Sequence, residues 1–130
     1  MPHFSIEYSS NLDGKVDIQR LCDVVHEALS ACGLFELGAL RVRAHRCEAY
    51  AIADRLPQNA FVDMNLRMGA GRDARDRERA GHAIFDAVSA LLQPLLAEPH
   101  FALSLEIREI DPVLSWKHNA MHPRLRAATQ

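Results

Sequence analysis

Apolar and polar residues alternate along Phe4-Ser5-Ile6-Glu7-Tyr8, a period of two that predicts a strand. Ser9-Ser10-Asn11-Leu12-Asp13-Gly14 follows as turn chemistry. The period then changes. Ile18, Leu21, Cys22, Val25, Ala28, Leu29 and Cys32 fall on one face at helical spacing. Asp17 suits the N-cap of that helix and Gly33 its C-terminal stop. Residues 39–53 return as a mainly extended segment, in whose first part Leu40, Val42 and Ala44 alternate with Arg41, Arg43 and His45.

The same order then recurs. After the loop Arg55-Leu56-Pro57-Gln58-Asn59, residues 60–68 read as a strand and Gly69-Ala70-Gly71 as a turn. Residues 73–97 read as a long helix with Ala80, Ile84, Val88, Leu91, Leu92 and Leu95 on its core face, loosened in its last turn by Pro94. Residues 101–110 form another alternating strand, and the tail from Pro112 to Gln130 is mixed and contains Trp116. Corresponding elements start at 4 and 61, 17 and 73, and 40 and 102. The chain therefore reads as two tandem β-α-β repeats, about 2–53 and 60–110, plus a C-terminal tail.

A β-α-β crossover makes its two strands parallel and places its helix on one side. Two such units side by side predict an α+β domain: a four-stranded mixed sheet with two helices on one face. The other face would then be uncovered. Phe4, Ile6, Tyr8, Val62, Met64 and Leu66 suggest that it is partly apolar. An apolar sheet face is buried against something, so self-association, sheet to sheet, is expected.

Composition narrows the class without naming a function. At 130 residues the chain is one domain. Its 48% hydrophobic and 25% charged residues are those of a soluble globule. A formal net charge of −2 supplies no drive toward nucleic acid or an anionic membrane. No apolar run approaches the roughly 18–20 residues of a membrane span, and Glu7 interrupts any signal-peptide pattern at the start. Cys22, Cys32 and Cys47 are an odd, scattered set and read as reduced thiols of a cytoplasmic protein. Cys22 and Cys32 lie on a predicted core face, where cysteine is usually inert, which argues against a thiol enzyme. Seven histidines show no metal-ligand spacing. His118 and His122 are four apart, but Pro123 argues against a stable helix there. No metal and no cofactor are expected.

Four positions, Pro2, Arg41, Arg43 and Arg72, are candidates for chemistry. The chain opens Met1-Pro2, and a small second residue permits removal of the initiator Met. Pro2 would then carry a free secondary amine, whose basicity burial and nearby cations tune toward that of a general base. Arg72 follows a glycine-rich turn and opens a helix, where a cation opposes the macrodipole by about 0.3–1 kcal/mol. Free amides, the positive helix end and a guanidinium would together form an anion site. Taken alone, Arg72 also suits an ion pair with Asp73 or Asp76. Arg41 and Arg43 share one face of their strand, and the planar guanidinium suits carboxylates.

In order along the chain, Met1-Pro2-His3-Phe4, Gly38-Ala39-Leu40-Arg41-Val42-Arg43-Ala44-His45, Ala60-Phe61-Val62-Asp63-Met64, Gly69-Ala70-Gly71-Arg72, Leu103-Ser104-Leu105-Glu106-Ile107 and Trp116-Lys117-His118-Asn119 resemble the 5-carboxymethyl-2-hydroxymuconate Δ-isomerase family of the tautomerase superfamily. The resemblance runs from Pro2 to about His122. It implies a single tautomerase-like domain over 1–130, a homotrimer, and cofactor-free isomerisation of a dienol carboxylate in the homoprotocatechuate branch of aromatic breakdown. It implies Pro2 as the catalytic amine, Arg41 and Arg72 as catalytic and substrate-binding cations, and Trp116 as an apolar wall against the small-molecule carboxylate substrate. Two other readings stay open on these residues: a trimeric scaffold without isomerase activity, and a tautomerase with a different enol substrate.

Overall fold

The computed structural model describes residues 1–128. Strand β1 spans His3–Ser9. Helix α1, Ile18–Ala31, starts where the Asp17 carboxylate accepts from the Arg20 amide at 3.0 Å. It stops where Gly33 adopts φ +75°, a conformation costly to residues with a Cβ. A short 3-10 turn, Leu37–Ala39, leads into β2, Arg41–Cys47. Strand β3, Ala60–Gly69, is followed by α2, Ala74–Leu91, capped by the Asp73 carboxylate on the Asp76 amide at 2.8 Å. Strand β4 is Phe101–Ile110.

Three boundaries differ from the sequence pattern. The extended segment stops at Cys47. Beyond it the chain loops, with Ala53 and Arg55 at positive φ, held by the Asn59 amide donating to the Ile52 carbonyl and the Asp54 carboxylate. The long second helix breaks at Leu92 and restarts as α3, Gln93–Leu96. Pro94 lies in the first turn of α3, where a missing N–H costs little. The tail forms helix α4, Met121–Ala128. Pro123 is tolerated because it too falls in a first turn, so the expectation that it prevents a helix holds only for His118, which lies before α4.

The sheet order is β2-β1-β3-β4, with β1 parallel to β2, β3 parallel to β4 and β1 antiparallel to β3. This is the expected mixed sheet built from two β-α-β units. Leu21, Val25 and Leu29 of α1 and Ile84 and Val88 of α2 are buried with the central strands in one core. The expectation of an apolar open face is overturned. Phe4, Ile6, Tyr8, Val62, Met64 and Leu66 all belong to that core. Register explains it: Phe4 pairs with Leu66 and Val42, and Met64 with Leu105. Side chains at matched positions share a face, so the one apolar face each strand possesses goes under the helices. The open face carries His3, Glu7, Arg43, Asp63, Arg67 and Glu106 instead. Large exposed apolar side chains follow β4: Val113 is 77% exposed, Leu114 69% and Trp116 85%.

The core makes a direct stability prediction. Ile84 is fully buried between α2 and the sheet. Ile84→Ala is expected to cost about 2–5 kcal/mol of unfolding free energy, read from chemical denaturation.

Candidate active site

Strand β1 begins at the end of the sheet where the β3–α2 turn and the segment after β4 also arrive. Pro2 is buried there. Met1 precedes it, so the free amine is Met1's and the Pro2 nitrogen is an amide. The Met1 amine lies one residue further out than the Pro2 nitrogen. Met1 lines a concavity of about 380 Å³ together with His3, Arg67, Gly69, Trp116 and Lys117.

Two arginines flank Met1 from outside that lining. Arg41 Nη1 donates to the carbonyls of Gly38 at 3.3 Å and Ala39 at 3.0 Å. The Gly38 carbonyl also accepts from Asn119, whose amide nitrogen lies 3.3 Å from the Met1 sulfur. Arg72 sits behind Gly69, a wall residue: its Nη1 donates to the Gly69 carbonyl at 3.4 Å. Its Nη2 donates to the Leu34 carbonyl at 2.8 Å, and the guanidinium lies 4.8 Å from the centre of the Phe35 ring. Arg72 thus reaches into the loop after α1 and pairs with neither Asp73 nor Asp76. The Asp73 carboxylate already occupies the α2 N-terminus, so the anion site expected from bare helix amides is partly filled by the helix's own cap. Main-chain carbonyls hold both guanidiniums without neutralising them, which leaves their charge for an anion.

The electrostatics favour a neutral amine. Burial first, then the charges of Lys117, Arg72 and Arg41, hold the terminal amine below its ordinary value. Of these cations Lys117 acts most strongly, and it lines the same concavity as Met1. His3 behaves alike: burial, then Arg67, Arg43 and Arg41, hold its imidazole below the usual range. Neutral His3 Nδ1 can then accept from Arg43 Nη1, 3.3 Å away.

The structure therefore brings the Pro2 end of the chain and Trp116 to one concavity; Arg41 and Arg72 do not line it, but their charges act on the amine at its rim. Sequence reasoning missed Lys117. Its only signal was a place directly after Trp116 in a tail without clear periodicity. Among the described residues, no group of three His, Cys, Asp or Glu is arranged to hold a metal ion.

Residues 2–125 match the model of the 5-carboxymethyl-2-hydroxymuconate isomerase family. The chain belongs to this family. A 5-carboxymethyl-2-hydroxymuconate Delta-isomerase of Escherichia coli is 36% identical over 122 residues, 94% of this chain and 97% of its own length. The crystal structure of a 5-carboxymethyl-2-hydroxymuconate isomerase from Deinococcus radiodurans R1 superposes with a TM-score of 0.89 at 34% identity, over 95% of this chain and 92% of that one. A solved 5-carboxymethyl-2-hydroxymuconate delta-isomerase gives a TM-score of 0.85 at 33% identity, over 100% of this chain and 93% of that one. Membership in the isomerase family makes this chain an isomerase with a tautomerase-like fold, which decides against the inactive-scaffold reading.

Proposed function

We propose that this isomerase converts 5-carboxymethyl-2-hydroxymuconate, or a close 2-hydroxymuconate-type dienol carboxylate, to its 2-oxo isomer, with the Pro2 amine as general base and acid. The observation that carries the reading is the terminal amine beside a concavity, with Lys117, Arg72 and Arg41 close enough to lower its basicity. The neutral amine takes the proton of the 2-hydroxyl. The electron pair moves through the diene, forming the 2-carbonyl and shifting the remaining double bond to C3–C4. The ammonium then returns its proton to C5. Atoms and charge balance with no other reagent.

Arg41 and Arg72 would hold substrate carboxylates and offset charge growing on the 2-oxygen. Trp116 would cover the apolar diene. The protein would work as a homotrimer; the exposed run through Val113, Leu114 and Trp116 supports association, because an apolar stretch of this kind is suited to burial by a neighbouring subunit. The reaction would serve aromatic breakdown by the homoprotocatechuate branch. The test is loss of the dienol's ultraviolet absorbance on adding protein whose Met1 has been removed. An unchanged rate of ketonisation would sink the reading.

The amine also sets a pH dependence. It works as a base only when neutral, so kcat/KM rises with pH through its pKa. The cations that lower the Met1 amine surround the Pro2 end of the chain as well, so the rise is expected below the ordinary amino-terminal range. Lys117→Met removes the largest of the charge effects, so the pKa returns upward and the rise moves to higher pH. The expected result is slower turnover near pH 6 with recovery in alkali, read from kcat/KM across pH 5–9.

A further inference from the structure

The Asn119 side chain has one donor that the fold does not consume. Its Oδ1 accepts from the Met121 amide at 2.9 Å, at the start of α4. That bond fixes which way the amide faces, so Nδ2 points to the amino-terminal side. An amide nitrogen carries two hydrogens. One goes to the Gly38 carbonyl at 2.8 Å. The other faces the Met1 sulfur at 3.3 Å, and a thioether is a weak acceptor. Met1 is the residue whose removal frees Pro2. Its departure empties the space beside Nδ2, and since Met1 lines the concavity, that space opens into it. A half-buried N–H then lacks a partner, next to a carbonyl that also anchors Arg41.

The geometry points to Asn119 as a substrate-binding residue: in the Met1-free enzyme its Nδ2 donates to a carboxylate oxygen seated where the Met1 sulfur now lies, with Arg41 beside it. The inference rests on the reading of the amino-terminal end as the active site. It extends that site to a neutral donor on the segment before α4, which no charge pattern in the sequence would single out. The turn that presents Arg41 is tightly clasped from the same side: a Cβ on Gly38 would come within 2.9 Å of His122 Nδ1, and Arg126 grips the Glu36 carboxylate through two nitrogens at 2.7 and 2.6 Å. Asn119 is therefore held in place from both of its ends.

The test uses Met1-free protein and adipate, a six-carbon dicarboxylate, as probe. Asn119→Asp keeps the oxygen that caps α4 and replaces the donor by a second acceptor. Adipate affinity measured by calorimetry is expected to fall about tenfold to a hundredfold in this variant, the usual worth of a hydrogen bond to a charged group. Asn119→Ala is expected to lose about tenfold on the same scale. Adipate affinity within twofold of the parent in Asn119→Asp would overturn the proposal. So would an adipate-bound crystal structure in which no ligand oxygen lies within 3.5 Å of Nδ2, since the loss would then come from a displaced Arg41 turn. Because the readout is binding, a parent protein that binds adipate yet fails to isomerise the dienol would defeat the proposed reaction and leave this assignment standing.

Discussion

Protein that keeps Met1 is expected to isomerise the dienol about 10²–10⁴-fold more slowly than protein from which Met1 has been removed, the usual contribution of a positioned acid or base. Two physical effects act together. With Met1 attached, the Pro2 nitrogen is an amide whose lone pair is delocalised into the carbonyl, and it has no useful basicity. The amine that remains belongs to Met1, one residue further out. It is primary and sits on a rotatable N–Cα bond, whereas the proline nitrogen is held in a ring at the start of the interior strand β1. The Met1 side chain also fills the space beside Asn119 and the Gly38 carbonyl. Mass spectrometry assigns each preparation, and a single kcat/KM comparison on the two forms decides. Equal rates would remove Pro2 from the chemistry. Pro2→Ala, processed in the same way, keeps an amine at the same position in the chain but loses the ring, so its rate is expected to fall between the two.

Arg72→Ala is expected to lower kcat/KM by about 10²–10³-fold, the scale for removing a preorganised donor from developing negative charge. Arg72→Lys is expected to recover little of it. The guanidinium spans the Leu34 and Gly69 carbonyls at 2.8 and 3.4 Å and lies over the Phe35 ring. A lysine ammonium is a compact point charge and cannot keep this planar arrangement. The electrostatic part has its own signature. Arg72 is one of the cations that hold the terminal amine below its ordinary basicity, so in Arg72→Ala the acidic limb of the pH profile moves to higher pH. A purely structural role would lower stability and leave that limb in place. Thermal melting beside the pH profile separates the two, and an unmoved limb with full activity would exclude Arg72 from the site.

Much of the fold could be read along the chain because its determinants are local. Asp17 and Asp73 mark the helix starts that they cap, and Gly33 ends α1 at a φ that suits glycine. The break at Leu92 was foreshadowed by Pro94, although as a loosened turn and not as a separate short helix. Helix α4 was missed because Pro123 reads as a breaker unless the helix start is known, and that start depends on the Asn119 side chain. Pro2, Arg41, Arg72 and Trp116 were legible as candidates by chain order. Lys117 and Asn119 were present in the same motif without any sign of a role.

Local periodicity determined the number, kind and sequence order of the strands and long helices, and with them the mixed sheet, since alternation and capping depend on residues a few places apart. Which sheet face lies open was decided only by tertiary structure. Strand register puts Phe4, Ile6 and Met64 under the same helices that bury Leu21 and Ile84, and no strand carries that information alone. The site is likewise a product of packing. Met1, Gly38, Gly69 and Lys117 are far apart in the chain, and they become neighbours because the ends of two parallel strand pairs and the α4 segment converge where the chain begins.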